Sequence, residues 1–488
     1  MDLADCSAGE LLALFRSGAA SPREATRDCL ARIARLNPHI NAFCLVDEDF
    51  ALVQAHQREQ RWQAWRSKAA GSPPPGPLEG VPVSIKDLLL TRGWPTLRGS
   101  RCIDPAQPWE VDAPASARLR EAGAVLLGKT TTPEFGCKGE TASSLSGVTC
   151  NPWDRLRTSG GSSGGAAAAV TCGMGPLAVG TDGAGSIRIP AAFCGSVGFK
   201  PSFGRVPAYP PSPFASLAHV GPHSRCVGDA ALMMNVLKRP DARDWSALPP
   251  DPNDYRVGLH DGLRGLRIAY SPRLGHVEAL EDDIEQAVAR VADTAQALGA
   301  VVESCDPPID DSLDLIFGLW TAGAASLWRS LDAAQQQRAD PDFQAQAAFG
   351  EQISAAQLQR LQQRRAELGA RLRVFMEEVD LLITPSTAVC AFPHGASTPA
   401  TGLDPLAMLG WTPYTYPFNL SQQPAISLPC GLNRIGLPIG VQLVGPMFAD
   451  ALVLRAARAL EEAIKPSQWV PAVLRTASAT EGKAPIEP

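Results

Sequence analysis

Cysteine and histidine never occur in this chain in a spacing that binds a metal. The 12 cysteines include no Cys-x-x-Cys pair, and the 7 histidines do not cluster near them. This pattern predicts free thiols in a reducing compartment and no metal site. The first residues, Met1-Asp2-Leu3-Ala4-Asp5, lack the basic region of a signal peptide, so we expect a cytoplasmic protein.

Runs of like charge are also missing. With 44 basic and 50 acidic residues the net charge is −6, which favours neither nucleic acid nor an anionic membrane as a partner. Residues 159–181 carry no charge over 23 positions, a length that can cross a bilayer. This segment is mainly Gly, Ala and Ser with Pro176 inside, and is too weakly apolar for a membrane helix. We expect a small-molecule partner and no membrane. The oligomeric state stays open, with a homodimer allowed for.

What the chain does have is a regular alternation of strand-like and helix-like segments, without an internal repeat. Apolar runs with strand character lie at 81–85, 124–127, 177–179, 266–270, 301–303, 381–384, 426–428 and 439–444. Segments with helical periodicity lie between most of these runs, for example at 280–298, 351–379 and 449–463. The alternation predicts an α/β fold in layers around a largely parallel or mixed sheet.

Composition divides the chain into three parts. Residues 1–67 are predicted to form an N-terminal helical segment, in which Ser7 caps a first helix and Ser21-Pro22 opens a second. A loop rich in Pro and Gly leads into an α/β domain over 68–471, whose variable region is about 240–410. Residues 472–488 are mostly small and polar, and we predict a flexible tail there.

Two serines and a lysine in the first half of the chain form a candidate catalytic set. Ser186 follows an apolar strand by a glycine-rich turn, the place in α/β folds where ligands bind. A hydroxyl is a poor nucleophile until a base takes its proton, and the candidates here are Ser162 and Lys86. Lys86 ends a strand whose apolar residues share the opposite face. Burial is therefore expected to lower the pKa of Lys86 and supply a neutral amine.

The match to one known family extends over most of the chain. The chain resembles the amidase signature family in five segments, residues 80–87, 119–130, 159–201, 419–429 and 437–445. The resemblance implies an amidase signature fold, a large mixed sheet covered by helices on both faces. It implies Ser186 as nucleophile, Ser162 as a bridging serine after a cis Gly161–Ser162 bond, and Lys86 as base, with no cofactor. Ser163 is expected to add a supporting hydrogen bond.

The turn before the nucleophile supplies candidate donors for an oxyanion hole. These are the backbone N–H groups of Gly183, Ala184, Gly185 and Ser186. Family members commonly carry glycine where Ala184 stands, and an alanine at positive φ would cost about 1 kcal/mol or more. Asp182 and Arg188 flank the turn, and we predict that they pair as a structural clamp.

Two sequence patterns point to other chemistry and are rejected. Residues 123–130 satisfy GxxxxGK[ST], but their middle is an aliphatic strand, and Pro133 interrupts the helix that a phosphate loop needs. Residues 160–164 satisfy GxSxG, but the segment before them is not the buried strand of a nucleophile elbow. Because His219 and His223 follow, a Ser–His–Asp hydrolase stays open on the sequence alone.

The family resemblance leaves more than one function open. The glutaminase subunit of tRNA-dependent amidotransferases typically carries Ser-Leu-Asp-Gln where this chain has Ser-Leu-Ala-His at 216–219. It also usually has Arg-Tyr-Gly where this chain has Ala-Tyr-Pro at 208–210. These departures favour a stand-alone amidase. A catalytically inactive binding subunit is the third alternative, although Lys86, Ser162 and Ser186 are all present.

Aromatic residues give the main indication of the substrate. Four lie within residues 411–418, and the other candidates are Tyr209, Phe214, Trp320 and Trp328. Aromatic side chains in the cleft would favour an apolar or aryl amide over glutamine. We therefore predict hydrolysis of such an amide, with an aryl carbamate (urethane) or an ester as related substrates.

Overall fold

Eleven strands form one mixed sheet in the part of the chain that the structure describes. The structure is a computed structural model and describes residues 2–69, 71–310, 312–396 and 407–475. The strands, in chain order, are β1 (Phe43–Val46), β2 (Pro82–Lys86), β3 (Val125–Thr130), β4 (Ala142–Ser143), β5 (Gly147–Val148), β6 (Leu177–Asp182), β7 (Val197–Lys200), β8 (His219–Ser224), β9 (Arg267–Tyr270), β10 (Val301–Ser304), β11 (Leu381–Pro385), β12 (Ala425–Leu432) and β13 (Pro438–Val444). The short strands β4 and β5 form a separate hairpin.

The order of strands in the sheet is β1-β3-β2-β6-β8-β7-β12-β13-β11-β9-β10. The neighbours β3, β2 and β6 run parallel, as do β11, β9 and β10. The remaining neighbours pair antiparallel. Because β2 and β6 are parallel, their carboxyl ends at Lys86 and Asp182 meet at one edge of the sheet. The predicted mixed sheet is confirmed.

Helices occupy most of the connections between the strands. In chain order they are α1 (Ala8–Ser17), α2 (Pro22–Ile40), α3 (Glu48–Arg66), α4 (Pro114–Glu121), α5 (Gly164–Thr171), α6 (Arg188–Cys194), α7 (Val227–Leu237), α8 (Asp282–Ala297), α9 (Leu313–Arg329), α10 (Ala333–Gln336), α11 (Pro341–Gly350), α12 (Ala355–Glu378), α13 (Ala407–Gly410), α14 (Pro417–Leu420) and α15 (Asp450–Ile464). Short 3₁₀ helices lie at Leu3–Asp5, Glu134–Gly136, Ala215–Leu217 and Pro466–Gln468.

Helices pack on both faces of the sheet, as predicted. On β3, Leu126 lies in a core shared with α7, α8 and α15. Its neighbours Val125 and Leu127 lie in a second core, shared with α2 and α5. Side chains alternate between the faces of a strand, so these cores mark the two sides. On β2, Val83 and Ile85 belong to the first core, which places Lys86 on the side of α5.

The N-terminal helices begin where the sequence predicts. Ser7 and Ser21 each form a capping box with the glutamate three residues later, and Pro22 is the first residue of α2. The segment is not wholly helical, however. Strand β1 lies between α2 and α3 and pairs antiparallel with β3, which joins the N-terminal segment to the edge of the sheet.

Strands β7 and β8, near the centre of the sheet, are not predicted from the sequence. Strand β8 contains Gly221 and Pro222, and a proline normally argues against a central strand because it lacks the N–H group. Here β8 is held by pairing with β6 on one side and β7 on the other. Tertiary pairing therefore outweighs the local preference of these residues.

The predicted flexible tail begins with an ordered turn. Residues 472–475 are helical, and Val473 and Leu474 pack against the core that contains α2 and α5. The N–H of Val473 donates to the Pro152 carbonyl at 3.3 Å. Residues 476–488 lie outside the described residues, so the flexible tail stays a prediction there.

The uncharged segment 159–181 folds as expected from its composition. It forms a loop, helix α5 and most of strand β6, and it is almost entirely buried. Within the ranges that the structure describes, no helix combines the length and the apolar character needed to span a membrane.

Candidate active site

The amino group of Lys86 lies at the centre of three hydroxyl groups. Lys86 Nζ is 2.7 Å from Ser162 Oγ, 2.8 Å from Ser163 Oγ and 2.9 Å from Thr181 Oγ1. The lysine is fully buried and forms no ion pair within the described chain. Burial lowers the pKa of Lys86 well below its ordinary value of 10.5, and the charge of Asp182 opposes this only in part. The site therefore favours the neutral amine.

Hydrogen-bond partners fix the roles of these hydroxyls. Ser163 Oγ donates to the Thr181 carbonyl at 3.0 Å and accepts the Thr181 N–H at 3.2 Å. Its proton is committed to that carbonyl, so Ser163 accepts from Lys86. A neutral amine has two N–H groups and one lone pair, and the lone pair is left for a proton of Ser162 or Thr181. Ser162, at the shorter distance, is thus one of two hydroxyls from which Lys86 can accept a proton, and of these two it is the one that the family resemblance implies as the bridging serine.

Ser186 lies beside this cluster, on the turn that follows β6. Its side chain is 7% exposed, and its hydroxyl has no hydrogen-bond partner among the described residues. Ser162 and Ser186 line the same cleft. The Gly161–Ser162 peptide bond is cis, as the family resemblance implies. The end of β2, the loop before α5 and the turn after β6 therefore bring Lys86, Ser162 and Ser186 together.

The turn after β6 leaves three of the four predicted oxyanion donors free. The Gly185 N–H donates to Asp182 Oδ1 at 2.7 Å, so this predicted donor is already used within the turn. The N–H groups of Gly183, Ala184 and Ser186 make no hydrogen bond within the described residues. Ala184 does not adopt positive φ, so the strain expected there is absent. The positive φ belongs to Gly185, at 127°.

Asp182 and Arg188 form a buried bidentate ion pair that supports the turn. Arg188 Nε and Nη2 donate to the two carboxylate oxygens at 3.0 and 2.9 Å, and both side chains are fully buried. Burial alone would raise the pKa of Asp182, but the Arg188 charge and hydrogen bonds outweigh it and hold this pKa well below its usual range. The other partners of Arg188 are Thr415, Asn419 and Gln442. The contacts are those of a structural clamp.

The cleft above the serines has apolar and aromatic walls. The empty space in the cleft, including the part that is open to solvent, is about 820 Å³. Phe214 and Trp320 stack in its wall, with ring centroids 3.8 Å apart and planes 10° apart. A Cβ on Gly183 would come within 2.8 Å of the Trp320 ring, so this indole also supports the oxyanion turn. The other large side chains of the lining are Leu88, Leu89, Arg98, Phe135, Tyr209, His219, Val220 and Leu327.

The aromatic segment 411–418 does not contribute to this lining. Trp411 packs against Phe193 and Phe392, and the Tyr414 hydroxyl donates to a backbone carbonyl. Trp328 likewise lies outside the lining residues. The predicted aromatics that do line the cleft are Tyr209, Phe214 and Trp320.

The two histidines do not form a Ser–His–Asp set. His219 Nδ1 is 2.8 Å from the Leu217 carbonyl oxygen, and the ring nitrogens of His223 have no partner within the described chain. Burial lowers the pKa of His223 to about 3 and that of His219 well below 6.5, so both rings are neutral. No hydrogen bond joins either ring to a serine among the described residues.

The segment that matches GxxxxGK[ST] is not a phosphate loop. Its lysine, Lys129, lies in strand β3 and pairs with Asp87 at 3.2 Å in the protein interior. The sequence prediction of a strand is therefore confirmed for this segment.

Sequence reasoning missed two residues of the site, Thr181 and Arg98. Thr181 is the residue before the last in β6, the parallel neighbour of β2, so pairing these strands in the sequence analysis would have brought it to Lys86. Arg98 lies on the irregular connection between β2 and α4, and no periodicity in the sequence indicates where its side chain points.

Known proteins are similar to this chain in fold and in sequence over nearly its whole length. The model of the Amidase family matches residues 24–454. The chain belongs to this family. A glutamyl-tRNA(Gln) amidotransferase subunit from Chloroflexus aurantiacus is 36% identical over 475 residues, which cover 92% of this chain and 94% of that protein. An acylamidase from Rhodococcus erythropolis is 34% identical over 471 residues, which cover 94% of this chain and 95% of the acylamidase.

A solved structure supports the same assignment. The crystal structure of a bacterial aryl acylamidase of the amidase signature family matches with a TM-score of 0.87 and 31% sequence identity, covering 95% of this chain and 97% of that one. The family and the α/β amidase signature fold predicted from the sequence are thus confirmed. As a member of this family, the chain is a hydrolase of amide C–N bonds. The names of its relatives differ in substrate.

Proposed function

We propose that this chain is a stand-alone amidase that cleaves an apolar or aryl carboxamide through an acyl-enzyme on Ser186. The observation that carries the proposal is the 2.7 Å contact between Lys86 Nζ and Ser162 Oγ, in the cleft that also contains Ser186, whose hydroxyl has no hydrogen-bond partner among the described residues. A buried neutral amine and a second hydroxyl supply the base that a serine nucleophile needs. Aryl carbamates and esters have the same carbonyl centre and are related substrates.

Acylation begins when Ser186 Oγ attacks the amide carbonyl carbon. The proton of Ser186 passes to Ser162, whose own proton passes to Lys86. The carbonyl π electrons move to oxygen, and the free N–H groups of the turn stabilise the resulting oxyanion. Collapse of this intermediate breaks the C–N bond, and the leaving nitrogen takes a proton from Lys86 through Ser162. The products of this step are a free amine and an ester of Ser186.

Deacylation uses the same relay on water. A water molecule attacks the ester carbonyl while its proton passes through Ser162 to Lys86. The second oxyanion collapses, the bond from carbon to Ser186 Oγ breaks, and Ser186 recovers a proton from Lys86 through Ser162. The carboxylic acid leaves, and the enzyme returns to its starting protonation state.

An aryl or apolar group beside the scissile bond is supported by the cleft walls. Stacked Phe214 and Trp320 present a flat apolar surface next to the oxyanion turn. Such surfaces favour aromatic and aliphatic ligand groups, which gain burial and ring contacts. His219 and Ala218 stand in the lining where the resembling glutaminase subunits carry Gln and Asp.

The second candidate is the glutaminase subunit of a tRNA-dependent amidotransferase. The 36% identity to the amidotransferase subunit from Chloroflexus aurantiacus favours it. Glutamine carries an α-ammonium group that requires an acidic partner when it is withdrawn from water. Among the described residues, no Asp or Glu lines the cleft. This observation favours the stand-alone amidase over the glutaminase.

Turnover by the purified chain alone tests the proposal. The substrates are acetanilide, an aliphatic amide, an aryl carbamate and glutamine, with Ser186→Ala as the inactive control. We expect aniline release, with kcat/KM for acetanilide at least about tenfold above that for glutamine, a difference of about 1.4 kcal/mol. Ammonia from glutamine without aniline would support the glutaminase. No turnover and no labelling by a fluorophosphonate would support an inactive binding subunit.

A further inference from the structure

Arg98 is the one charged side chain in the described lining of the cleft. The lining also contains Ser162 and Ser186, and its other side chains are neutral. Arg98 lies on the connection between β2 and α4 and is partly buried. A single positive charge therefore faces the same space as the nucleophile.

The guanidinium of Arg98 has no partner among the residues that the structure describes. It makes no hydrogen bond and no ion pair within the described residues. The nearby acid, Asp87, is already paired with Lys129 at 3.2 Å, and Asp182 is paired with Arg188. Burial lowers the pKa of Arg98, and the charge of Asp87 opposes this shift. A partly desolvated cation without a counter-ion is unfavourable, so an anion in the cleft would stabilise it.

The backbone holds Arg98 in a conformation that arginine rarely adopts. The φ angles of Arg98 and Gly99 are 56° and 64°, both in the left-handed region. The Arg98 carbonyl accepts the Phe135 N–H at 2.8 Å. A Cβ on Gly99 would lie 2.4 Å from the Thr132 carbonyl oxygen, so the loop is packed closely against this neighbour. Strained backbone conformations of this kind cluster at ligand sites, which agrees with the position of Arg98 in the cleft lining.

We propose that Arg98 binds a carboxylate on the substrate, so that the preferred amides of this enzyme are anionic. The inference rests on the proposed function and names the substrate class of the same cleft. A guanidinium offers paired N–H donors that match the two oxygens of a carboxylate. Apolar walls and one cation together fit an amide with an aryl or alkyl body and a carboxylate away from the scissile bond. A zwitterion such as glutamine would leave its ammonium unpaired.

Two matched pairs of substrates test the inference. Acetanilide is compared with 4-acetamidobenzoate, which places the carboxylate on the amine side. Butyranilide is compared with N-phenylsuccinamate, which places it on the acyl side. For each pair, the ratio of kcat/KM for the anionic member to that for the neutral member is measured in wild type, Arg98→Gln and Arg98→Lys. Arg92→Gln is the control, because it removes the same charge from an exposed position outside this cleft.

We expect wild type to favour the anionic member of at least one pair by about tenfold or more, mainly through a lower KM. Arg98→Gln should abolish this preference, Arg98→Lys should retain part of it because lysine keeps the charge but not the paired donors, and Arg92→Gln should retain all of it. A wild-type ratio near one in both pairs would overturn the inference. So would an Arg98→Gln enzyme whose ratio matches that of wild type, since the arginine would then only shape the loop.

A binding measurement separates failure of this inference from failure of the proposed function. In a Ser186→Ala background, calorimetry compares the affinities of 4-acetamidobenzoate and N-phenylsuccinamate with and without Arg98→Gln. We expect the added substitution to weaken binding of at least one anion by about tenfold. If wild type hydrolyses no anilide but this loss is seen, the proposed function fails and the anion site stands. Binding that is unchanged by Arg98→Gln overturns the anion site.

Discussion

The N–H of Ser163 donates to the carbonyl oxygen of Ser186 at 3.1 Å, which joins the loop of the bridging serine to the turn of the nucleophile. The relative position of Ser162 and Ser186 is therefore set in part by the backbone. Because this bond involves neither hydroxyl, substituting one serine side chain leaves it in place. Changes in activity after such substitutions then report on chemistry rather than on loop position.

Ser186 should form the covalent adduct with a fluorophosphonate. Within the described residues its hydroxyl is unpaired and lies beside three N–H groups that make no hydrogen bond, whereas the hydroxyls of Ser162 and Ser163 are hydrogen-bonded to Lys86. Peptide mass spectrometry locates the label. Ser186→Ala should abolish labelling, and Ser162→Ala should slow it because the proton relay is broken. A label on Ser162 or Ser163 in wild type would reverse the assignment of roles.

Activity should rise with pH as Lys86 loses its proton. The protonated amine cannot accept a proton, so log(kcat/KM) increases through the pKa of Lys86 and levels off above it. Since burial lowers this pKa well below 10.5, the plateau should be reached below that pH. A plateau reached only near pH 10.5 would contradict a buried neutral base.

Substitutions of Lys86 separate its chemical role from a structural one. Lys86→Met keeps the buried chain without the amine and should remove most activity. Lys86→Arg should be nearly as damaging, because a guanidinium does not give up its proton near neutral pH. Circular dichroism and thermal unfolding serve as controls for folding. A folded Lys86→Arg enzyme with near-normal kcat would show that a cation, not a base, is required.

Most of the sheet and the proposed relay could be predicted from the sequence. Strands such as β2 and β11 are short apolar runs, and burial of such runs depends little on the rest of the fold. Strand β8 could not be predicted, because Pro222 is acceptable there only once β6 and β7 hold its neighbours. The local sequence pattern shows which short segments are apolar enough to be buried. It does not show which distant strands will pair with a segment such as β8.

The sequence indicates which residues form the site more readily than it indicates their hydrogen bonds and the side chains that line the cleft. The glycine-rich turn suggests Gly185 as an oxyanion donor, but its N–H is used by Asp182. The direction of one N–H depends on a carboxylate three residues away and on Arg188, which orients that carboxylate. The aromatics at 411–418 were only candidates for the cleft, and they pack in the core instead. The sequence could not decide between the two places, since hydrophobic side chains suit a core and a cleft equally well.

The stacked pair in the cleft should determine the preference for aryl substrates. Phe214→Leu removes the ring that stacks on Trp320 and should lower kcat/KM for acetanilide by about three- to tenfold, mainly through KM. Activity on an aliphatic amide should fall less. Phe349→Leu is the control, because Phe349 is 42% exposed and lies outside the cleft lining. An equal loss for both substrates would argue against a contact between Phe214 and the aryl group.

The Asp182–Arg188 pair should be essential for stability. Asp182→Asn leaves a buried guanidinium without its counter-ion, which typically costs about 3–5 kcal/mol. Chemical denaturation measures this loss. Glu351→Gln is the control, because it breaks an exposed ion pair with Arg329 and should change stability little. Because the pKa of Asp182 is lowered in the fold, this part of the stability should be lost only at acid pH, below about 3.8.

The oxyanion turn should not tolerate a side chain at Gly185. Its φ is 127°, and a Cβ would lie 2.3 Å from Thr415 Oγ1, so Gly185→Ala should displace the turn and abolish most activity. Gly369→Ala is the control. Gly369 lies in α12 with nothing within 4 Å of an added Cβ, and alanine should stabilise that helix by about 0.5–1 kcal/mol. Thermal unfolding and anilide turnover distinguish the two effects.

The residues that support the Arg188 side chain are synthesised much later than the proposed catalytic residues. The three residues of the proposed relay lie within the first 186 positions, yet the Arg188 side chain reaches Thr415, Asn419 and Gln442, which are 227 to 254 residues further along. A growing polypeptide on the ribosome therefore carries the whole relay long before it can complete the support beneath the turn. We therefore expect hydrolysis to begin only after β13 has left the exit tunnel, and we expect fragments that end before β13 to keep Lys86, Ser162 and Ser186 but to lack activity.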